Sequence, residues 1–201
     1  VKERGMIFNA EMVRATLSEQ KTQTRRIVKL QPDEDGLARL SGGPWMDTNE
    51  KVYPCPYGEV GDKLWVRETW QVIHDYTDEY GNVDERRFAR SIPKQRGNYW
   101  HPVYAERFGS ESRDDRGFPW RPAIYMPRWA SRITLEITDV RVERLNDISE
   151  EDAKAEGAPT ECCVIGYKHF LGFRTLWKSI YGAESWNENP WVWVIEFKQI
   201  K

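Results

Sequence analysis

Lys21, Thr24, Arg25 and Arg26 fall within one short run, Lys21-Thr22-Gln23-Thr24-Arg25-Arg26. An amine and a hydroxyl this close can share the tasks of nucleophile, proton acceptor and oxyanion donor, and two guanidinium groups beside them favour a neutral lysine. Positions three apart point to opposite faces of a plain strand, so Lys21 and Thr24 converge only if Lys21 lies in a turn. On pattern alone the same run also describes a solvated strand face. Arg26 is either a bidentate phosphate or carboxylate clamp or the partner of a nearby acid.

Other chemistries have thinner support. Cys162, Cys163 and His169 lack the paired spacing of a zinc site and a fourth ligand, so no metal is expected. His74, His101 and His169 have no serine or cysteine motif around them, which argues against a histidine-based triad. Arg121, Arg128 and Arg132 are interleaved with Trp120, Tyr125 and Trp129, a composition that suits single-stranded nucleic acid and equally suits a loop covering a core.

The elements that must position these residues follow from periodicity. Gly5 to Phe8 reads as a strand, Asn9 as a cap, and Met12, Val13, Thr16 and Leu17 as one face of a helix ending near Ser18 to Gln20. Lys21 then occupies the helix-to-strand turn, and the β-branched, polar and alternating Thr22 to Val28 forms a strand exposed on one face. Residues 31–60 hold eight Gly or Pro in thirty and read as a surface excursion pinned by Trp45, Tyr53 and Tyr57. A strand is expected from Lys63 to Trp70. Residues 74–117 carry 17 charged side chains in 44 with only Val83, Ile92 and Val103 as aliphatics, a charged insertion without a core of its own.

Beyond it, Arg132 to Leu145 is one bent strand or two short ones. Ser149-Glu150-Glu151-Asp152 has capping-box spacing, with Gly157 ending that helix and Glu156 in its last turn. A helix over Phe170 to Tyr181 stops at Gly182, and Trp191 to Phe197 is a central strand. This pattern predicts one domain over 1–201 of the α+β class, built on a small, mostly antiparallel barrel with about three short helices and long loop insertions.

The run Gln20 to Arg26, the strand Gly61-Asp62-Lys63-Leu64-Trp65-Val66 and the closing Trp193-Val194-Ile195-Glu196-Phe197 together resemble the ASCH domain family, small barrels related to the PUA fold. The likeness is greatest to ASCH proteins of phages and prophages, over Cys55 to Trp70, Met126 to Gly157 and Trp191 to Phe197. Some bacterial members are amidohydrolases that deacylate N4-acetylcytidine, and the resemblance places their catalytic Lys, Thr and Glu on Lys21, Thr24 and Glu156. The family's usual Gly two residues before the Lys is Glu19 here, where a left-handed conformation costs a non-glycine on the order of 1 kcal/mol.

Within that reading Thr24 is the nucleophile, Lys21 its base or the oxyanion donor, and Glu156 a proton shuttle or a hold on the cytosine edge. Alternatively a charged Lys21 polarises the carbonyl while Glu156 activates water. The candidate substrate or nucleic-acid contacts are Thr22, Arg25, Arg26, Trp65, Arg128 and Trp129, and no cofactor is implied. The competing function is an RNA or modified-base binding module of the PUA-like class, with ribonuclease activity a third.

Composition bounds the partners. The 30 Lys plus Arg nearly cancel the 32 Asp plus Glu, which excludes a broad electrostatic attraction to phosphate backbones. A modified nucleoside or a short stretch of single-stranded nucleic acid fits that balance. No run approaches the roughly 18 apolar residues of a membrane span, and a cytoplasmic protein is expected. Oligomeric state is left open by the sequence.

Overall fold

The computed structural model describes residues 1–40, 42–74, 80, 88–97, 99–160 and 168–200. They fall into two compact units: Val1–Arg4, Ala15–Leu64 and Leu135–Ile200 form the first, and Gly5–Arg14 with Trp65–Thr134 the second.

The strand β1 (Glu3–Ile7) leads into the helix α1 (Ala10–Leu17). Asn9 caps that helix as its position predicts, its Oδ1 accepting the Met12 N–H at 2.8 Å. At the other end Glu19 turns left-handed, with φ of 59°. The N–H groups of Gln20 and Lys21 both donate to the Ala15 carbonyl at 2.9 Å. Lys21 therefore lies in the turn, immediately ahead of β2 (Gln23–Ile27), whose first three residues are buried on both faces of the strand rather than exposed on one. The excursion that follows holds a small hairpin of β3 (Ala38–Arg39) and β4 (Trp45–Met46). It is pinned as expected: Trp45 packs edge-on against Trp193 at 5.8 Å, and Tyr53 is buried with its hydroxyl on Asp47 at 3.0 Å.

The strand β5 (Lys63–Arg67) precedes an antiparallel pair, β6 (Trp70–His74) with β7 (Trp100–Tyr104). Two four-residue helices, α2 (Ala105–Phe108) and α3 (Arg113–Arg116), come next. The insertion thus contributes β7 and both of these helices; its positions 75–79, 81–87 and 98 lie outside the described residues. The core of the second unit is aromatic, built from Trp65, Trp70, Val72, Ala89, Tyr104, Met126 and Ala130. Aromatic surface replaces the aliphatic surface that the insertion lacks.

Residues 132–145 resolve into one long strand, β8 (Thr134–Arg144). Ser149 caps the helix α4 (Glu150–Ala155), its Oγ accepting the Asp152 N–H at 3.0 Å, with Glu156 at the C-cap and Gly157 left-handed at φ 71°. The helix α5 (Lys168–Tyr181) is followed by α6 (Ala183–Asn187) and the closing strand β9 (Trp191–Ile200). In the first unit α4, α5 and α6 cover one face of β9, packing Ala153, Phe173, Trp177 and Trp186 around Val192 and Val194.

The protein is α+β, and its main sheet has the order β1-β5-β8-β9-β2. β2 runs antiparallel to β9, whereas β1 runs parallel to β5, as bonds from Lys63 N to Lys2 O at 2.8 Å and from Phe8 N to Arg67 O at 3.0 Å require. The barrel expected from sequence is not closed. Among the described residues β1 and β2 remain the two edges of an open sheet. The outer side of the chain entering β2 is taken by the end of α4: Thr22 N–H donates to the Ala155 carbonyl at 2.8 Å, and Lys21 bridges Glu156. Among the described residues no helix is long and apolar enough to cross a membrane.

Candidate functional site

Lys21 is carried by the α1–β2 turn and Glu156 by the end of α4, and an isolated antiparallel bridge holds their backbones together. Gly157 allows this approach, since a Cβ there would stand 2.6 Å from the Ala15 Cβ and 3.0 Å from the Lys21 Cβ. The Lys21 ammonium donates to Glu156 Oε2 at 2.8 Å and to the Glu156 main-chain oxygen at 2.7 Å. The second bond satisfies one of the carbonyls left open at the end of α4. The Lys21 side chain is wholly shielded from solvent, and Glu156 nearly so at 4 % exposure.

Arg25 completes the cluster from β2. Its Nη1 lies 3.3 Å from Glu156 Oε1, while Nη2 lies 2.9 Å from Glu143 Oε2 and 3.4 Å from Asp152 Oδ2. Gln23 Nε2, two residues back on the same face of β2, donates to the Asp152 carbonyl at 2.8 Å and to its Oδ1 at 3.0 Å. Arg141 on β8 extends the network, with Nε on Glu143 at 2.5 Å, Nη2 on Asp152 at 3.2 Å and Nη1 on Glu196.

Burial is the largest influence on Lys21 and lowers its pKa; the Glu156 carboxylate opposes this, and the Arg26 and Arg25 guanidinium groups add to it. For Asp152 burial works upward, but the Gln23 hydrogen bond, the Arg25 charge, the Ser149 hydroxyl and the Arg141 charge bring it below the ordinary carboxylate value. Arg141 is pulled down by burial and raised on balance by Glu143 and Glu196.

Thr24 stands apart in its contacts. It is fully buried, pairs across the sheet with Ile195, and its hydroxyl has no hydrogen-bond partner among the described residues. Strand alternation places it on the face opposite Gln23 and Arg25. The structure therefore joins Lys21, Arg25 and Glu156 directly, and sets Thr24 next to them in the chain without a hydrogen bond to any of the three.

No family model and no curated protein matches this chain. Among solved structures it is similar to an ASCH domain of Lactobacillus crispatus, at 13% identity over 98% of this chain and 79% of that chain, with a TM-score of 0.41. It is also similar to a protein of Enterococcus faecalis of family DUF984, at 10% identity over 100% of this chain and 80% of that chain, with a TM-score of 0.40. The chemistry of the site rests on its own residues.

The remaining candidates are spread more widely. Thr22 is exposed, and Arg26 is half-buried opposite Trp193 in the register of β2 with β9. Trp65, Arg128 and Trp129 belong to the second unit. There Trp65 is buried beneath the Arg67 guanidinium at 4.4 Å, and Trp129 donates its indole N–H to the Pro93 carbonyl at 3.1 Å. Arg128 is exposed and within 3.1 Å of the Thr134 hydroxyl. Arg132 forms two bonds to Glu68, at 2.9 and 2.8 Å, and lies over the Tyr104 ring. Among the described residues no group of His, Cys, Asp or Glu is arranged to hold a metal, and Cys162 and Cys163 lie outside them.

Sequence reasoning missed Gln23, Arg141, Glu143 and Asp152 as members of the cluster. Asp152 was visible only as part of the capping box. Arg141 and Glu143, two apart on a strand, share a face, which was the one available signal.

Proposed function

We propose that the first unit carries an amidohydrolase site for N4-acylated cytosine, as a free nucleoside or as a modified base in nucleic acid. The observation that carries this reading is the buried Lys21–Glu156 pair at 2.8 Å, three residues from the Thr24 hydroxyl, itself buried and without a hydrogen-bond partner among the described residues. A buried ion pair is an expensive way to stabilise a fold, and buried, perturbed groups concentrate where chemistry is done.

In this reading Lys21 loses its proton more readily than an ordinary lysine, because it is buried and two arginines stand nearby. Its neutral amine takes a proton from a water molecule as the water oxygen attacks the acyl carbon. The same proton passes to the exocyclic nitrogen as the C–N bond breaks, so that cytosine departs and the acyl group leaves as the carboxylic acid. Glu156 keeps the lysine in place throughout. The departure at Glu19 is compatible with this use, since Glu19 adopts the left-handed conformation that delivers Lys21 to the turn.

The test is release of cytidine from N4-acetylcytidine by the purified protein. Lys21→Ala and Glu156→Ala, in variants shown to be folded, should each lower kcat by about a hundredfold or more, and Thr24→Ser should retain turnover. Wild-type rates in the Lys21 and Glu156 variants, or no turnover by the folded wild type, overturn the proposal; in the second case a modified-base binding module takes its place.

A further inference from the structure

We infer that Arg25 is a positioning residue for Glu156, anchored by Glu143 on β8 and Asp152 on α4 so that one carboxylate oxygen of Glu156 is fixed and the other is presented to Lys21. The inference rests on the reading above and assigns a task within it.

The argument is geometric. Lys21 binds Oε2 and the main-chain oxygen of Glu156, both on the same residue. Those bonds leave the second carboxylate oxygen unconstrained, and a lysine is a point charge on a flexible stem. Arg25 supplies the missing constraint by meeting Oε1 at 3.3 Å. Its planar fork then ties that contact to Glu143 at 2.9 Å and Asp152 at 3.4 Å. The Arg25 side chain is wholly buried, so this is not a surface pair. Nor is it set out for a substrate phosphate, because both Nη atoms are occupied by carboxylates.

The consequence reaches the base. Lys21 faces Glu156 from α4 and the Arg25 and Arg26 charges from β2. Arg25 in turn faces Glu143, Asp152 and Glu156, with Arg141 behind the first two and Glu196 behind Arg141. A Glu156 carboxylate free to rotate would change its distance to Lys21 and the pH at which the amine becomes neutral. Arg25 therefore acts through Glu156 rather than on substrate.

Arg25→Lys keeps the charge and removes the fork. It should lower kcat at least about tenfold with KM within about twofold, and shift the pH–rate limb that belongs to Lys21. Glu143→Gln, at a half-buried anchor, should lower kcat about threefold or more in the same manner, and serves if Arg25→Lys fails to fold. Independently of turnover, the ionisation of Lys21 can be followed by NMR in full-length protein labelled with 13C-lysine, its signal assigned from its absence in Lys21→Arg. A moved midpoint in Arg25→Lys or Glu143→Gln supports the inference even if wild type releases no cytidine, which would overturn only the amidohydrolase reading. Unchanged midpoints and unchanged kcat in the folded variants overturn the positioning role.

Discussion

Glu19 sits at φ 59° in the turn that delivers Lys21, a conformation in which a side chain with a Cβ is strained by roughly 1 kcal/mol and glycine is not. Glu19→Gly should stabilise the folded protein by about 0.5 kcal/mol, the relief being partly offset by the greater freedom of glycine in the unfolded chain. Urea denaturation checks this, and a lower midpoint for Glu19→Gly would mean that the glutamate side chain contributes something the strain argument omits. The turn itself was readable from sequence, because a capped amphipathic helix followed by a β-branched run leaves few places for Lys21. The partners of Lys21 and Arg25 were less readable. Glu143, Asp152 and Glu156 lie more than a hundred residues along the chain, and which carboxylate meets which cation is decided by where α4 and β8 come to lie against β2, a property of the assembled first unit. Thr24 shows the limit from the other side: its burial is fixed by its strand, but nothing local says whether its hydroxyl finds a partner.

At the scale of elements, legibility followed length and local punctuation. The helix α5 has fourteen residues and its apolar spacing locates it, and α4 is marked by Ser149 and Gly157 at its ends. By contrast α2, α3 and α6 have four or five residues each, too few for a period of 3.6 to register. The docking of the end of α4 beside Lys21 and Thr22 was not legible either, since it depends on a contact between distant segments. Asp62 offers an element-scale test, because it fastens the start of β1 beside the turn into β5. Its carboxylate accepts the Lys2 N–H at 2.7 Å, the Arg4 guanidinium at 2.8 Å and the Glu59 N–H at 3.3 Å. The Lys2 backbone bond is the chief reason its pKa falls from 3.8 to about 2, with burial opposing and Arg4 and Glu59 assisting. A depressed carboxylate stabilises the fold above its unfolded pKa and loses that contribution as pH falls through its folded one. Wild type should therefore exceed Asp62→Asn in stability by about 1 kcal/mol near neutrality, after allowance for solvent screening. The difference should vanish between pH 4 and pH 2; a gap independent of pH would assign the effect to hydrogen bonding alone.

At the scale of the molecule, the balance of charge bears on what the protein can hold. With 30 basic and 32 acidic side chains, the net formal charge is −2. Two of the arginines that the sequence interleaves with tryptophans and tyrosines are engaged within the second unit: Arg121 bonds Gln71 at 2.8 Å and the Ala89 carbonyl, and Arg132 lies over Tyr104 while bonded to Glu68 and Glu106; nearby, Arg67 lies over Trp65 and Arg116 over Trp120. The first unit spends Arg25 and Arg141 on carboxylates in the same way. A long phosphate backbone would find no broad positive field to enter, and the substrate class favoured on these grounds is the nucleoside or a single modified base with little flanking strand. The KM for N4-acetylcytidine should then be unchanged within about twofold between 50 mM and 500 mM salt, because a neutral nucleoside releases no condensed counterions on binding. A single-stranded oligonucleotide carrying the same base should bind with a salt slope no steeper than about −1.5, the release expected of about two phosphates at roughly 0.7 per contact. A slope near −4 would require about six phosphate contacts. That outcome would replace the proposed nucleoside hydrolase by a protein with an extended nucleic-acid track, in which the basic and aromatic side chains of the second unit bind a strand instead of packing one another.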